Sequence, residues 1–100
     1  TTTLCFHGHT HLPVCYQKET RVVRCDLSTV RLVTGRRYFV NVGSVGQPRD
    51  GDPRAAYVLY DARNRELELR RIAYDIGRTQ EKIRESGLPE RLAMRLEVGK

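Results

Sequence analysis

Short apolar runs alternate with turn residues through the first part of this chain, which restricts it to short strands joined by turns. Leu4-Cys5-Phe6 reads as a short buried strand, and Val14-Cys15-Tyr16 as a second. A looser alternation runs from Thr20 to Leu27, with Val22 and Val23 flanked by arginines. Val30 to Val33 ends at Thr34-Gly35, and Tyr38 to Val42 leads into Gly43-Ser44-Val45-Gly46. The stretch Gln47 to Pro53 is a loop, because Asp50-Gly51 is a turn pair and its two prolines cannot sit inside a ladder. Ala56 to Tyr60 is a strand, Asp61 to Arg65 a turn, and the period-two pattern of Leu67, Leu69 and Arg71 predicts a hairpin partner.

The period changes after Tyr74. Asp75 is a good N-cap, Ile76, Thr79 and Ile83 recur at helical spacing, and Gly87 suits a left-handed C-terminal cap. Pro89 fits the first turn of a second helix, with Leu88, Leu92 and Leu96 as its apolar stripe. Several strands followed by two short helices give an α+β pattern.

One hundred residues make one small domain or a piece of a larger one. A chain of this size buries only about 60–65% of the surface it exposes when unfolded. Apolar residues (39%) are spread along the chain, which argues against disorder despite 30% charged residues. No apolar run approaches the roughly 20 residues needed to span a bilayer, so no membrane partner is expected. The opening Thr1-Thr2-Thr3-Leu4 has neither a basic leader nor a signal-peptide core, and reads as the continuation of a longer chain. Cys5, Cys15 and Cys25 are odd in number and lack a C-x-x-C pair. They are expected to be reduced, small apolar residues in a cytoplasmic protein. A net charge of +6, mostly from arginine, first describes a solvated surface and second an attraction to phosphate-bearing ligands.

The chemistry lies in Phe6-His7-Gly8-His9-Thr10-His11-Leu12-Pro13. In an extended segment, residues i and i+2 point to the same side, so His9 and His11 would aim two imidazoles into one site. Neutral imidazole is a common ligand for Zn, Fe, Ni or Mn. Gly8 is expected to allow a tight turn or a close backbone approach, and Pro13 to fix the exit of the loop. A bare H-x-H is more often a surface loop than a site, since two ligands leave most of a coordination sphere unfilled.

The context is more specific than the pair. Gly8-His9-Thr10-His11, after an apolar strand and before a proline, resembles the last metal-binding motif of the calcineurin-like metallophosphoesterases. Asn41-Val42-Gly43-Ser44-Val45-Gly46-Gln47-Pro48-Arg49 is similar to the Asn-Pro-Gly-Ser-x-Gly-x-Pro-Arg stretch of that family's bacterial and archaeal phosphodiesterases. Val42 stands where the family usually has proline. The resemblance spans nearly the whole chain and implies part of a four-layer α/β/β/α sandwich. It also implies two divalent metal ions (Mn, Fe, Ni or Zn), which activate a water for attack on phosphorus. His9 and His11 would bind one metal each, and Gly8, Asn41, Gly43 and Ser44 would form the supporting loop; His7 lies outside the motif and is expected to stand behind the ligands or be structural, or to serve as a third ligand in a misfolded or fragment state. The family's other ligands (an Asp-x-His, a Gly-Asp, a Gly-Asn-His and one more histidine) lie upstream of this motif and are not in these residues. Residues 1–100 are therefore expected to be the C-terminal part of such a domain, with a naturally reduced relative as the alternative.

The Gly43-Ser44-Val45-Gly46 loop lacks a following lysine and does not match a P-loop; it is expected to support the histidine loop. Arg49 is expected either to meet a substrate phosphate or to pair with Asp50 or Asp52. The function implied is hydrolysis of a phosphate ester, by a phosphodiesterase or phosphatase when complete, with this segment inactive alone. The alternative is a non-catalytic interaction scaffold of the same fold, with Leu92 and Leu96 as its partner surface. Nucleic-acid binding rests on charge alone, since no helix-turn-helix, RNA-recognition or zinc-finger signature is present.

Overall fold

A computed structural model describes residues 2–100. Seven strands are followed by two helices, in the order expected from the apolar pattern: β1 (Leu4–His7), β2 (Val14–Lys18), β3 (Val22–Cys25), β4 (Thr29–Arg31), β5 (Arg37–Asn41), β6 (Ala55–Asp61), β7 (Glu66–Ile72), α1 (Ile76–Glu85) and α2 (Glu90–Val98). They form a four-stranded sheet, β1-β5-β2-β3, and a three-stranded sheet, β4-β7-β6. All pairings are antiparallel except β1 with β5.

The core lies between the sheets. Cys15, Tyr38 and Val40 from the larger sheet meet Val30 and Leu67 from the smaller one, with Leu27 closing the cluster. Strand periodicity explains the selection: along β5, Tyr38 is 5% exposed, Phe39 49% and Val40 0%. The outer face of the larger sheet thus leaves Phe39 and Tyr16 exposed. The expectation that β1 would be buried is corrected here. Cys5 and Phe6 are both exposed, because β1 is an edge strand with a single neighbour, β5.

Asp75 caps α1, its side chain accepting the Arg78 N–H at 3.0 Å, and Gly87 follows with φ of 74°. Pro89 is the N-cap of α2 rather than a residue of its first turn. Leu88 precedes the helix and is half exposed, so it does not join the stripe. Leu96 and Ala93 are buried as α2 packs on α1, which removes Leu96 from any partner surface. Gln80 fastens the pair from within, donating to the Ala93 carbonyl at 3.0 Å and to the Glu97 carboxylate at 2.7 Å. No helix among the described residues is long and apolar enough to cross a membrane.

Candidate metal centre

The histidine loop leaves β1 at the point where β1 and β5 both end, and His7 is in register with Asn41. It is not extended, which corrects the expectation from i, i+2 geometry. His9 has φ of 78° and His11 φ of 61°, so both occupy the left-handed region. Non-glycine residues visit this region at a cost of roughly 1–2 kcal/mol each, and histidine is among the residue types enriched there. The bend also does not fall on Gly8, which has no positive φ. Gly8 contributes instead through its carbonyl oxygen, which accepts from the Thr10 N–H at 3.1 Å and from Asn41 at 3.2 Å.

Two consecutive left-handed turns around a threonine persist only where neighbours impose them. Asn41, 1% exposed, is the principal one. Its Nδ2 donates to the Gly8 carbonyl and, at 2.7 Å, to the Thr10 hydroxyl oxygen, while its Oδ1 accepts the Gly43 N–H at 3.0 Å. The Val42 N–H donates to the His7 carbonyl at 3.1 Å and the Arg49 N–H to the His11 carbonyl at 3.3 Å. Gly43 is needed for two reasons: its φ is 79°, and a Cβ would stand 3.1 Å from the Ala56 Cβ and 3.3 Å from the Pro13 Cβ. Ser44 shapes the rest of the loop, its hydroxyl accepting the Gln47 N–H at 2.9 Å and its carbonyl the Ala56 N–H at 2.9 Å.

The ring of His11 is oriented by the same loop. Its Nδ1 lies 2.8 Å from the Gln47 carbonyl oxygen. A carbonyl can only accept, so Nδ1 carries the hydrogen and the neutral ring keeps its lone pair at Nε2. A histidine that ligates a metal is commonly held this way, with one nitrogen donating to a carbonyl and the other free for the ion. His9 is exposed at the loop surface. His7 turns away from this role: its ring stacks on Phe39 at 4.0 Å, and its buried Nε2 has no hydrogen-bond partner among the described residues. Two imidazoles therefore fit a metal by donor chemistry but do not complete a site. No three His, Cys, Asp or Glu side chains gather into a metal cage among the described residues.

Arg49 does not pair with Asp50 or Asp52 as expected; its guanidinium donates to the Gln47 side-chain oxygen, with Nε at 3.0 Å. Those carboxylates are taken by Arg71 on β7, which bonds Asp50 and lies 3.8 Å from Asp52, and by Arg54, 2.7 Å from Asp52. Hydrogen bonds from Arg54 hold the Asp52 carboxyl down at about 2. Thr10, Gln47 and Arg71 were not legible as parts of this site. Gln47 acts on His11 through its backbone, which side-chain chemistry does not signal, and Arg71 read only as one position of an alternating strand.

Among solved structures, the metallophosphoesterase from Sphaerobacter thermophilus shares this geometry, with a TM-score of 0.88 over all of this chain. The chain has the fold of part of a metallophosphoesterase. It is 39% identical to that protein and matches 43% of its length. It is also 38% identical over 97 residues to an uncharacterized protein of Methanocaldococcus jannaschii, covering 97% of this chain and 40% of that relative. No family model matches. The chain thus spans about two-fifths of the length of either protein.

Proposed function

We propose that this segment supplies two metal-binding imidazoles, His9 and His11, to a metal-dependent phosphoesterase acting on phosphate monoesters or diesters. One observation carries the reading. On a metallophosphoesterase fold, two histidines sit in strained left-handed backbone, and His11 has its Nδ1 tied to a carbonyl. Strain of this kind concentrates at functional loops. Two divalent ions of the Mn, Fe, Ni or Zn kind, when bound, neutralise phosphoryl oxygens and lower the pKa of a water. This chain's part is to present nitrogen lone pairs from a preformed loop, so that little ordering remains when the ions arrive. Asn41 and the Gln47 carbonyl hold that loop, and the Arg49 guanidinium, steadied by Gln47, stands beside it as a cation for a substrate phosphate. On this reading the remaining ligands come from residues outside these 100.

The test is His11→Ala and His9→Ala in the full-length protein, scored for bound metal by elemental analysis and for hydrolysis of a nitrophenyl phosphodiester and monoester. Each change is expected to lower the metal bound per chain and to lower turnover by more than about 100-fold, since it removes a ligand rather than a group behind one. Unchanged metal content and turnover would sink the reading. Of the two residues expected to form a scaffold's partner surface, Leu96 is buried as α2 packs on α1 and Leu92 is half-buried, which favours the phosphoesterase reading.

A further inference from the structure

The ten-residue spacing of Cys15 and Cys25 has a consequence in the sheet that the metal loop does not use. β2 and β3 form an antiparallel pair whose register places Cys15 directly opposite Cys25. Directly opposed residues in such a pair have Cα atoms about 4.5–5.5 Å apart, inside the 4.4–6.8 Å range that a disulfide spans. The two thiols lie on the same face, and the Cys25 Sγ already donates to the Cys15 carbonyl at 3.5 Å. Their surroundings differ. Cys15 is fully buried in the core between the sheets, and Cys25 is half-buried. Cys25 lines an open cleft of about 440 Å³ together with Arg24, Asp26, Leu69 and Arg71.

We propose that Cys15 and Cys25 are a reversible thiol–disulfide pair, oxidised by a small hydroperoxide that enters through this cleft. In the first step the Cys25 sulfur attacks the peroxide O–O bond, giving a sulfenic acid and, from hydrogen peroxide, one water. In the second, the Cys15 sulfur displaces the sulfenic hydroxyl, the S–S bond forms, and a second water leaves with the thiol proton. Two thiols and one peroxide thus give one disulfide and two waters, and a low-molecular-weight thiol reverses it by exchange. The order of steps follows from access, since only Cys25 faces the cleft. It agrees with the electrostatics: burial, followed by the neighbouring Cys25, pushes the Cys15 thiol up to about 12. Cys15 is therefore a poor first nucleophile and becomes the resolving thiol once an electrophilic sulfur stands beside it. Cys5 has no part, because it lies on β1, beyond β5 from β2, and is exposed.

The experiment exposes the full-length protein to hydrogen peroxide, blocks remaining thiols with a maleimide, and maps tryptic peptides by mass. The expected result is a bridge between the peptide that begins at Cys25 and the one that ends at Lys18, two hydrogens lighter than the sum of the two with one maleimide on Cys5. The bridge persists in Cys5→Ser, is absent in Cys25→Ser, and is lost on treatment with a thiol reductant. It closes a loop of about ten residues, so the oxidised form should melt roughly 5–10 °C higher than the reduced form. Because Cys15→Ser places a hydroxyl in the core, Cys15→Ala serves as the second control and should leave Cys25 as a trappable sulfenic acid. Oxidation that stops at Cys25 in the unsubstituted protein, or a bridge formed through Cys5 or between molecules, overturns the proposal. Neither outcome depends on metal binding by His9 and His11.

Discussion

Asn41 is the residue on which the histidine loop depends most. One buried side-chain amide satisfies a carbonyl, a hydroxyl oxygen and a backbone N–H that belong to two different segments. Replacing it by alanine removes the partner of the Gly43 N–H and of the Thr10 hydroxyl oxygen and leaves the Gly8 carbonyl to the Thr10 N–H, in a half-buried loop where a lost partner costs about 1–3 kcal/mol before water or relaxation intervenes. Asn41→Ala is therefore expected to destabilise the protein by roughly 2–4 kcal/mol in urea unfolding. It should also weaken metal binding by about 10–100-fold, the usual effect of removing a group that orients a ligand. Asn41→Asp is the informative companion. The carboxylate still accepts the Gly43 N–H, but it meets the Gly8 carbonyl with repulsion instead of donation. Titration calorimetry with Mn²⁺ or Zn²⁺ should find it no better than the alanine variant. An affinity equal to the unsubstituted protein's would show that the loop holds its shape without Asn41.

Helix α2 ends against the loop after Arg49, and that junction sets two expectations at the level of elements. Gly99 has φ of 66°, and a Cβ there would stand 2.7–2.8 Å from backbone atoms of Asp52. Its carbonyl accepts the Gly51 N–H at 2.8 Å. Backbone cannot move aside as a flexible side chain can. Gly99→Ala should cost roughly 2–4 kcal/mol, the left-handed strain and the overlap together, measured by chemical denaturation. The same loop carries a pH dependence. The Asp52 carboxyl, held at about 2 in the folded state against an ordinary 3.8, stabilises the fold above the unfolded value. That contribution is lost as pH falls through about 2. The stability gap between the unsubstituted protein and Asp52→Asn should hold at neutral pH, narrow below about pH 4, and close near pH 2. A gap that stays constant through this window would exclude the linkage.

The two sheets share one core, and the whole molecule stands or falls on it. Leu67, fully buried on the central strand of the smaller sheet, is the largest such side chain. Leu67→Ala removes several methylene-sized groups where rigid strands prevent collapse, so a loss of about 2–5 kcal/mol is expected, read from the urea midpoint. The helices contribute little to that core. They pack on each other, giving an elongated body of 50 × 24 × 21 Å. Phe39 and Tyr16 stay exposed on the outer face of the larger sheet, away from that core.

Which residues form strands and helices was largely written in the chain, because period-two and helical patterns, an Asp cap and glycine stops act locally over a few residues. The same is true of the histidines and the Gly-Ser loop as candidates, since donor chemistry is a property of residue type. What only the tertiary structure decided is how those groups meet. The pairing of β1 with β5 brings Asn41 beside Gly8 and Thr10, thirty-odd residues away in sequence, and so imposes left-handed backbone on His9 and His11. Local propensity would have left the loop extended and placed its freedom at Gly8. It was also chain pairing, not side-chain type, that gave Asp50 to Arg71, while Asp52 stays mainly with its neighbour Arg54 and Arg49 with Gln47. Charge says that an arginine will find an acceptor nearby; only the packing of β7 against the loop says which one.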